Sequence, residues 1–133
     1  MKFKDLMIIK ALVCVGFGPI LLFFPGPFLT LLGTSFEGGA ALTARLYAAT
    51  LFGNSVLAWY ARSAEKSVAR RAIMLDLFVY DGIALVVTLI IQLSGGLNTL
   101  GWGVVFIYLF FTVGYGYFLF AGGESLPQEK PGS

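Results

Sequence analysis

The sequence predicts an all-α fold, an integral membrane four-helix bundle with its N- and C-termini in the cytoplasm. Of the 133 residues, 58% are hydrophobic and only 12% are charged, about half the charged fraction of a soluble domain. Four apolar segments are each long enough to cross a bilayer, which takes about 20 residues. This composition excludes a soluble globular enzyme, a nucleic-acid-binding protein and a disordered chain.

The first predicted span covers about residues 6–24 and ends in a proline-rich stretch without a cleavage site, so we interpret it as a retained helix rather than a signal peptide. Lys10 lies one turn inside it, and its ammonium group is expected to snorkel to the interface. Pro19 predicts a local kink. Residues 25–32 are apolar but too few to cross, so we expect them to lie at the interface or to dip back into the bundle. Residues 33–39 form a polar, glycine-rich loop.

The other three spans are predicted at about residues 40–60, 72–93 and 99–121, which makes residues 1–121 one transmembrane bundle. Glycine and asparagine in the turn at residues 94–98 favour a tight connection between the last two spans. Residues 122–133 contain two prolines and are predicted to be a disordered cytoplasmic tail.

The basic residues predict the orientation of the bundle. Eight of the nine Lys and Arg residues lie near the N-terminus, around the connector between spans 2 and 3, or in the tail: Lys2, Lys4, Lys10, Arg62, Lys66, Arg70, Arg71 and Lys130. The two opposite loops contain none. Because basic loops stay on the cytoplasmic side, both termini and the central connector are predicted to be cytoplasmic.

Polar residues inside the spans should face the bundle interior or a water-filled cavity, because they are costly in hydrocarbon. Asp81 lies about 13 Å into span 3 and shares one helix face with Gln92. Asn54 and Tyr115, on spans 2 and 4, lie at a similar depth. We therefore predict a hydrogen-bonded cluster of Asp81, Asn54 and Tyr115 in the interior, with Tyr108 on the same stripe as Tyr115.

Two interpretations of these residues stay open. Asp81, Asn54, Tyr115, Tyr108 and Gln92 are candidates for a proton site or a polar ligand site. Alternatively, they join helices through interhelical hydrogen bonds, which we favour because the sequence shows no matching cation for Asp81.

Arg45 is the one basic residue in the outer part of the spans. It is a candidate for an anion contact at the outer mouth of the bundle. The alternative is that it snorkels to lipid phosphates or pairs with Glu37.

The sequence offers little for catalysis. It has no histidine and a single cysteine, Cys14, and none of the common phosphate-loop, dinucleotide, nucleophile-elbow or zinc-protease motifs. We therefore predict a non-enzyme without cofactor, catalytic residue or metal site.

Ala40, Ala44 and Ala48 are spaced by four residues, which favours close packing of span 2 on another helix.

A resemblance to a family rests on the first half of the chain. A proline-rich end of span 1 is followed by Phe28-Leu29-Thr30-Leu31-Leu32-Gly33. Span 2 then carries Arg45-Leu46-Tyr47-Ala48-Ala49 and Gly53, and ends in Ala61-Arg62. In these features the chain resembles the small four-span bacterial membrane proteins of the DoxX-like type. The resemblance implies a multi-pass protein of the bacterial inner membrane, with an accessory role beside redox enzymes and no catalytic residue.

Three functions are consistent with these patterns. The leading prediction is a non-catalytic accessory or scaffold subunit of a membrane complex. The alternatives are a small oligomeric transporter or channel that uses Asp81, and a protein that binds a lipid, quinone or sterol in a cleft lined by Phe and Tyr. The predicted partners are membrane lipid and either other membrane subunits or further copies of this chain, with no nucleic acid.

Overall fold

The computed structural model describes residues 1–121, and the predicted tail at 122–133 lies outside them. These residues form α1 (Phe3–Phe23), α2 (Pro25–Leu31), α3 (Ala40–Ala61), α4 (Val68–Leu93) and α5 (Gly101–Gly116), and α5 continues into a π-helical turn at Tyr117–Ala121. No strand occurs in this part of the chain, which confirms the predicted all-α class.

Local sequence signals explain several helix ends. The Asp5 carboxylate accepts a hydrogen bond from the Lys2 backbone at 3.0 Å where α1 begins, and the Ser67 hydroxyl accepts one from the Arg70 backbone at 3.1 Å where α4 begins. Such bonds satisfy amide groups that have no partner within the helix. Pro25 opens α2, because proline suits the first helical turn. The helix α1 continues through Pro19.

Three described helices are long and apolar enough to cross a membrane: α1, α4 and α5 with its π-helical turn. Large apolar side chains on them face outward, for example Leu12, Ile83 and Phe106, which are each 60% exposed or more. Such exposure is typical of a surface covered by lipid. These three helices indicate a multi-pass membrane protein. The helix α3 is long enough to cross, with 22 residues, but its sequence is more polar and it is not among the three.

The helices are arranged as two pairs, with α3 packed along α1 and α5 packed along α4. Small side chains permit the close approach of α1 and α3. Ala44 and Ala48 are buried as their spacing predicts, and the Ser55 hydroxyl donates a hydrogen bond to the Ala11 carbonyl oxygen at 3.0 Å. The helix α1 also meets the other pair, so it lies at the centre of the fold.

Two clusters of buried side chains divide the bundle. The first, which we call the terminal half, contains Phe3, Leu6, Met7, Ala11, Ala58, Ala61, Met74, Leu77, Phe111, Tyr115 and Leu119. The second, which we call the loop half, contains Cys14, Leu21, Ala44, Ala48 and Leu51. The helix α2 and the turn between α4 and α5 lie at the far end of the loop half.

Candidate ligand-binding site

A buried ion pair joins α1 to α4 where the two halves meet. The Lys10 ammonium Nζ donates to both carboxylate oxygens of Asp81, at 2.7 Å to Oδ1 and 2.9 Å to Oδ2. The side chains are only 3% and 0% exposed. A buried charge without a partner would cost several kcal/mol, so each residue offsets the cost of burying the charge of the other.

Aromatic rings enclose the ammonium group. Nζ lies 4.5 Å from the centre of the Phe111 ring and 5.2 Å from that of Tyr80. Because the negative face of a ring attracts a cation, these contacts further stabilise the charge of Lys10.

The structure corrects the expectation that Lys10 snorkels to the interface. The helix α1 begins at Phe3 rather than Leu6, which places Lys10 about 10 Å from the helix start. At that depth the Lys10 side chain bonds to Asp81 across the bundle instead of extending along the helix to the interface. The sequence therefore does contain a matching cation for Asp81, and the interpretation that it has none was wrong.

Three tyrosines lie beyond the ion pair, toward the loop half. The Tyr47 and Tyr108 hydroxyl groups are hydrogen-bonded to each other, and they join α3 to α5. The Tyr80 ring stacks on that of Tyr47, with ring centres 6.5 Å apart and planes inclined by 14°. These rings form one wall of an internal space.

That space, which we call the interior cavity, has a volume of about 90 Å³. It extends from Lys10 along α1 to Leu21 and is bounded by all five helices; other lining residues include Cys14, Phe17, Phe28, Leu51, Val104 and Phe111. Its exposed surface is almost wholly apolar, because Lys10 is paired with Asp81 and Tyr47 with Tyr108. The Tyr80 hydroxyl has no hydrogen-bond partner among residues 1–121, but it is buried away from that surface. The interior cavity is therefore suited to an apolar group.

A second space, the loop-end crevice, lies between α1, α2 and α3 and has a volume of about 380 Å³. Its walls include Leu29, Thr34, Ser35 and Thr43. The hydroxyl groups distinguish it from the interior cavity, since they can hydrogen-bond to a polar group.

The remaining predicted site residues are not drawn into one cluster. The Tyr115 hydroxyl donates to the Met7 sulfur at 3.8 Å, and the Asn54 side-chain nitrogen has no hydrogen-bond partner among residues 1–121. Both carboxylate oxygens of Asp81 bind Lys10 instead. Of the five candidates, Tyr108 lines the interior cavity.

Gln92 and Arg45 lie toward the loop end. The Gln92 Nε2 donates to the Asn98 carbonyl oxygen at 3.1 Å, so this residue organises the α4–α5 turn. The Arg45 Nε donates to the Leu22 carbonyl oxygen at 3.2 Å, near the end of α1. Within residues 1–121, no three of His, Cys, Asp and Glu lie close enough together to hold a metal ion.

The chain matches no protein-family model, no curated protein and no solved structure. The resemblance to DoxX-like proteins stays a prediction, and the function of this site is inferred from its geometry.

Proposed function

We propose that this protein binds the end of the apolar chain of a membrane amphiphile, of the lipid, quinone or sterol class, in its interior cavity. The observation that carries the proposal is an apolar cavity of about 90 Å³ inside the bundle. Protein interiors contain few voids larger than a water molecule, so a space of this size among apolar side chains calls for an occupant. Apolar cavities in other proteins stay dry and accept apolar guests, and the same chemistry lines this one.

The ion pair favours an uncharged group in the cavity. Lys10 and Asp81 together carry no net charge, and both carboxylate oxygens are already bonded. An ionised group that entered beside them would lose its hydration without a free counter-charge, which is costly. The end of a hydrocarbon chain avoids that cost.

The packing of the two halves supports binding over conduction. On the other side of the ion pair, the terminal half is filled by side chains with 6% exposure or less, such as Leu6, Met74 and Leu77. Water or ions that reached the interior cavity would meet this dry cluster. The transporter or channel that uses Asp81 would need a second conformation in which the terminal half opens.

The proposal is compatible with an accessory role in a membrane complex, which stays a prediction. We also propose, from the distribution of basic residues, that α3 is a fourth span and that both termini are cytoplasmic. In that orientation the loop-end crevice faces the outer leaflet.

Photocrosslinking tests the proposed binding. The protein in lipid nanodiscs is illuminated with 1-hexadecanol that carries a terminal diazirine, and the crosslinked residues are mapped by mass spectrometry. We expect crosslinks on cavity-lining residues such as Phe17 and Leu51. Val104→Phe places a larger side chain in the cavity and should lower these crosslinks about tenfold, since the probe would have to displace it.

The matched control is Val113→Phe, on the same helix. Val113 is 61% exposed and faces outward, so this variant should leave the cavity crosslinks unchanged. Crosslinks confined to outward-facing residues such as Phe106, or equal crosslinking in both variants, would contradict the proposal.

A further inference from the structure

The interior cavity and the loop-end crevice are separated by a thin partition. Three side chains line both spaces: Leu21 of α1, Phe28 of α2 and Tyr47 of α3. The two spaces are therefore adjacent, and joining them requires these side chains to move. The joined space would be mostly apolar, with a few hydroxyl groups at the crevice end that can hydrogen-bond to the polar group of an amphiphile.

The helix α2 is the element best placed to move. It has seven residues and contributes Phe28 to the partition and Leu32, its C-terminal cap, to the cavity wall. One residue, Phe24, connects it to α1. Its other end leads through Gly33, whose positive φ of 78° suits glycine, into the loop before α3.

Asn98 fastens the C-terminal end of α2 to the α4–α5 turn. Its side-chain Nδ2 donates to the Leu31 carbonyl oxygen at 2.8 Å, and its backbone N–H donates to the Leu32 carbonyl oxygen at 2.8 Å. Its Oδ1 meanwhile accepts from the Leu100 backbone at 3.0 Å, which orients the side-chain amide. The two carbonyl groups of α2 are C-terminal groups that lack partners within the helix.

We propose that α2 is a gate between the crevice and the interior cavity, and that Asn98 is its latch. The proposal rests on the binding function above and names its route: an amphiphile enters from the loop end, chain first, and its polar group stays among Thr34, Ser35 and Thr43. The hydrogen bonds of Asn98 lie at the exposed surface. Water can replace them there, so their net strength is modest and the gate can open.

Cys14 provides a native reporter of gate opening. It is the single cysteine of the chain, it lines the interior cavity, and it is only 1% exposed. N-ethylmaleimide can reach it when the partition opens, and intact-mass spectrometry measures the labelling rate without any ligand present.

Asn98→Asp is the sharpest variant. It retains an oxygen that accepts from the Leu100 backbone but loses the Nδ2 donor to Leu31. We expect Cys14 labelling to accelerate about three- to tenfold, the effect of one hydrogen bond on an opening equilibrium. Asn98→Ala should accelerate it at least as much. Ser94→Ala is the control, because the Ser94 hydroxyl donates to the Ile91 carbonyl oxygen at the end of α4 rather than to α2; it should leave the rate unchanged.

The outcomes separate the gate from the binding function. Labelling of Asn98→Asp at the unaltered rate would overturn the gate, and would favour entry through the lateral groove of about 210 Å³ that Val13 and Phe106 line between α1 and α5. Faster labelling of Ser94→Ala would overturn it as well, since the effect would then come from general loosening. Accelerated labelling of Asn98→Asp without cavity crosslinks from the diazirine probe would uphold the gate and reject the binding function.

Discussion

The terminal half and the loop half of the bundle are built from the same helices but are packed differently. In the terminal half, side chains from α1, α3, α4 and α5 fill the interior. In the loop half, the buried cluster comes from α1 and α3, and a cavity separates it from α4 and α5. One half is thus filled by side chains, which fixes the positions of the helices, whereas the other leaves an apolar space, which we propose is where a guest binds.

Breaking the ion pair at the boundary between the halves should cause the largest loss of stability. Asp81→Leu leaves the Lys10 ammonium buried without its partner, which costs about 3–5 kcal/mol of unfolding free energy. Unfolding by SDS or urea in mixed micelles, followed by circular dichroism, measures the loss.

The double variant Lys10→Met, Asp81→Leu is the control for that experiment. It removes both charges and replaces them with apolar side chains, so it should be much more stable than Asp81→Leu alone, and close to the unaltered protein. If the two variants were equally unstable, the ion pair would not be what holds α1 to α4.

Two leucines compare the packing of the halves directly. Leu77 is fully buried in the terminal half, and Leu51 is 6% exposed and lines the interior cavity. Leu77→Ala should cost about 2–5 kcal/mol, as expected for a new cavity in a filled core. Leu51→Ala should cost less than half as much, because one side of Leu51 already lacks packing partners. Equal losses in the same unfolding assay would contradict the division between the halves.

The smallest expected effect concerns two glycines of α5. A Cβ at Gly114 would lie 3.0 Å from the Leu6 side chain, whereas one at Gly103 would meet nothing within 4 Å. Alanine at Gly103 should therefore stabilise the helix by about 0.5–1 kcal/mol. At Gly114 the same gain should be cancelled by the shift that Leu6 must make. Thermal unfolding of both variants tests this. Equal stabilisation would contradict the prediction and show that the Leu6 side chain moves aside at no cost.

The helices themselves could be predicted from sequence because their apolar segments are long and the breaks between them contain Gly, Pro or charge. For the four long helices, predicted and observed bounds agree within about four residues at each end when the π-helical turn is counted with α5. The largest difference is at α4, which begins at Val68 where we predicted residue 72. Its extra turn contains Arg70 and Arg71, whose charges suggested a connector, and Ser67 caps it.

The sequence did contain a signal for the partner of Asp81, namely a lysine within a predicted span. Lys10 and Asp81 are 71 residues apart, and no periodicity indicates that α1 faces α4 at this depth. The usable signal was physical: a carboxylate in mid-span requires a cation, and Lys10 is the one lysine within a predicted span.

The cavity could not be predicted from the sequence. Its volume depends on how Phe17, Tyr47 and Phe111 fill the space between two helix pairs, and a shift of one side chain would change it. The same holds for the contact of Asn98 with α2. The sequence predicted a tight turn there, but the bonds to Leu31 and Leu32 depend on how the two pairs are placed side by side.

The separation of 71 positions between Lys10 and Asp81 also has a consequence for assembly during synthesis. When α1 leaves the ribosome, its lysine has no anion to meet, and an isolated cation is tolerated in a bilayer only if its flexible side chain reaches water. The carboxylate arrives when α4 is inserted. We therefore expect α1 to insert at a shallower position and to reach its final depth only after α4 is in the membrane.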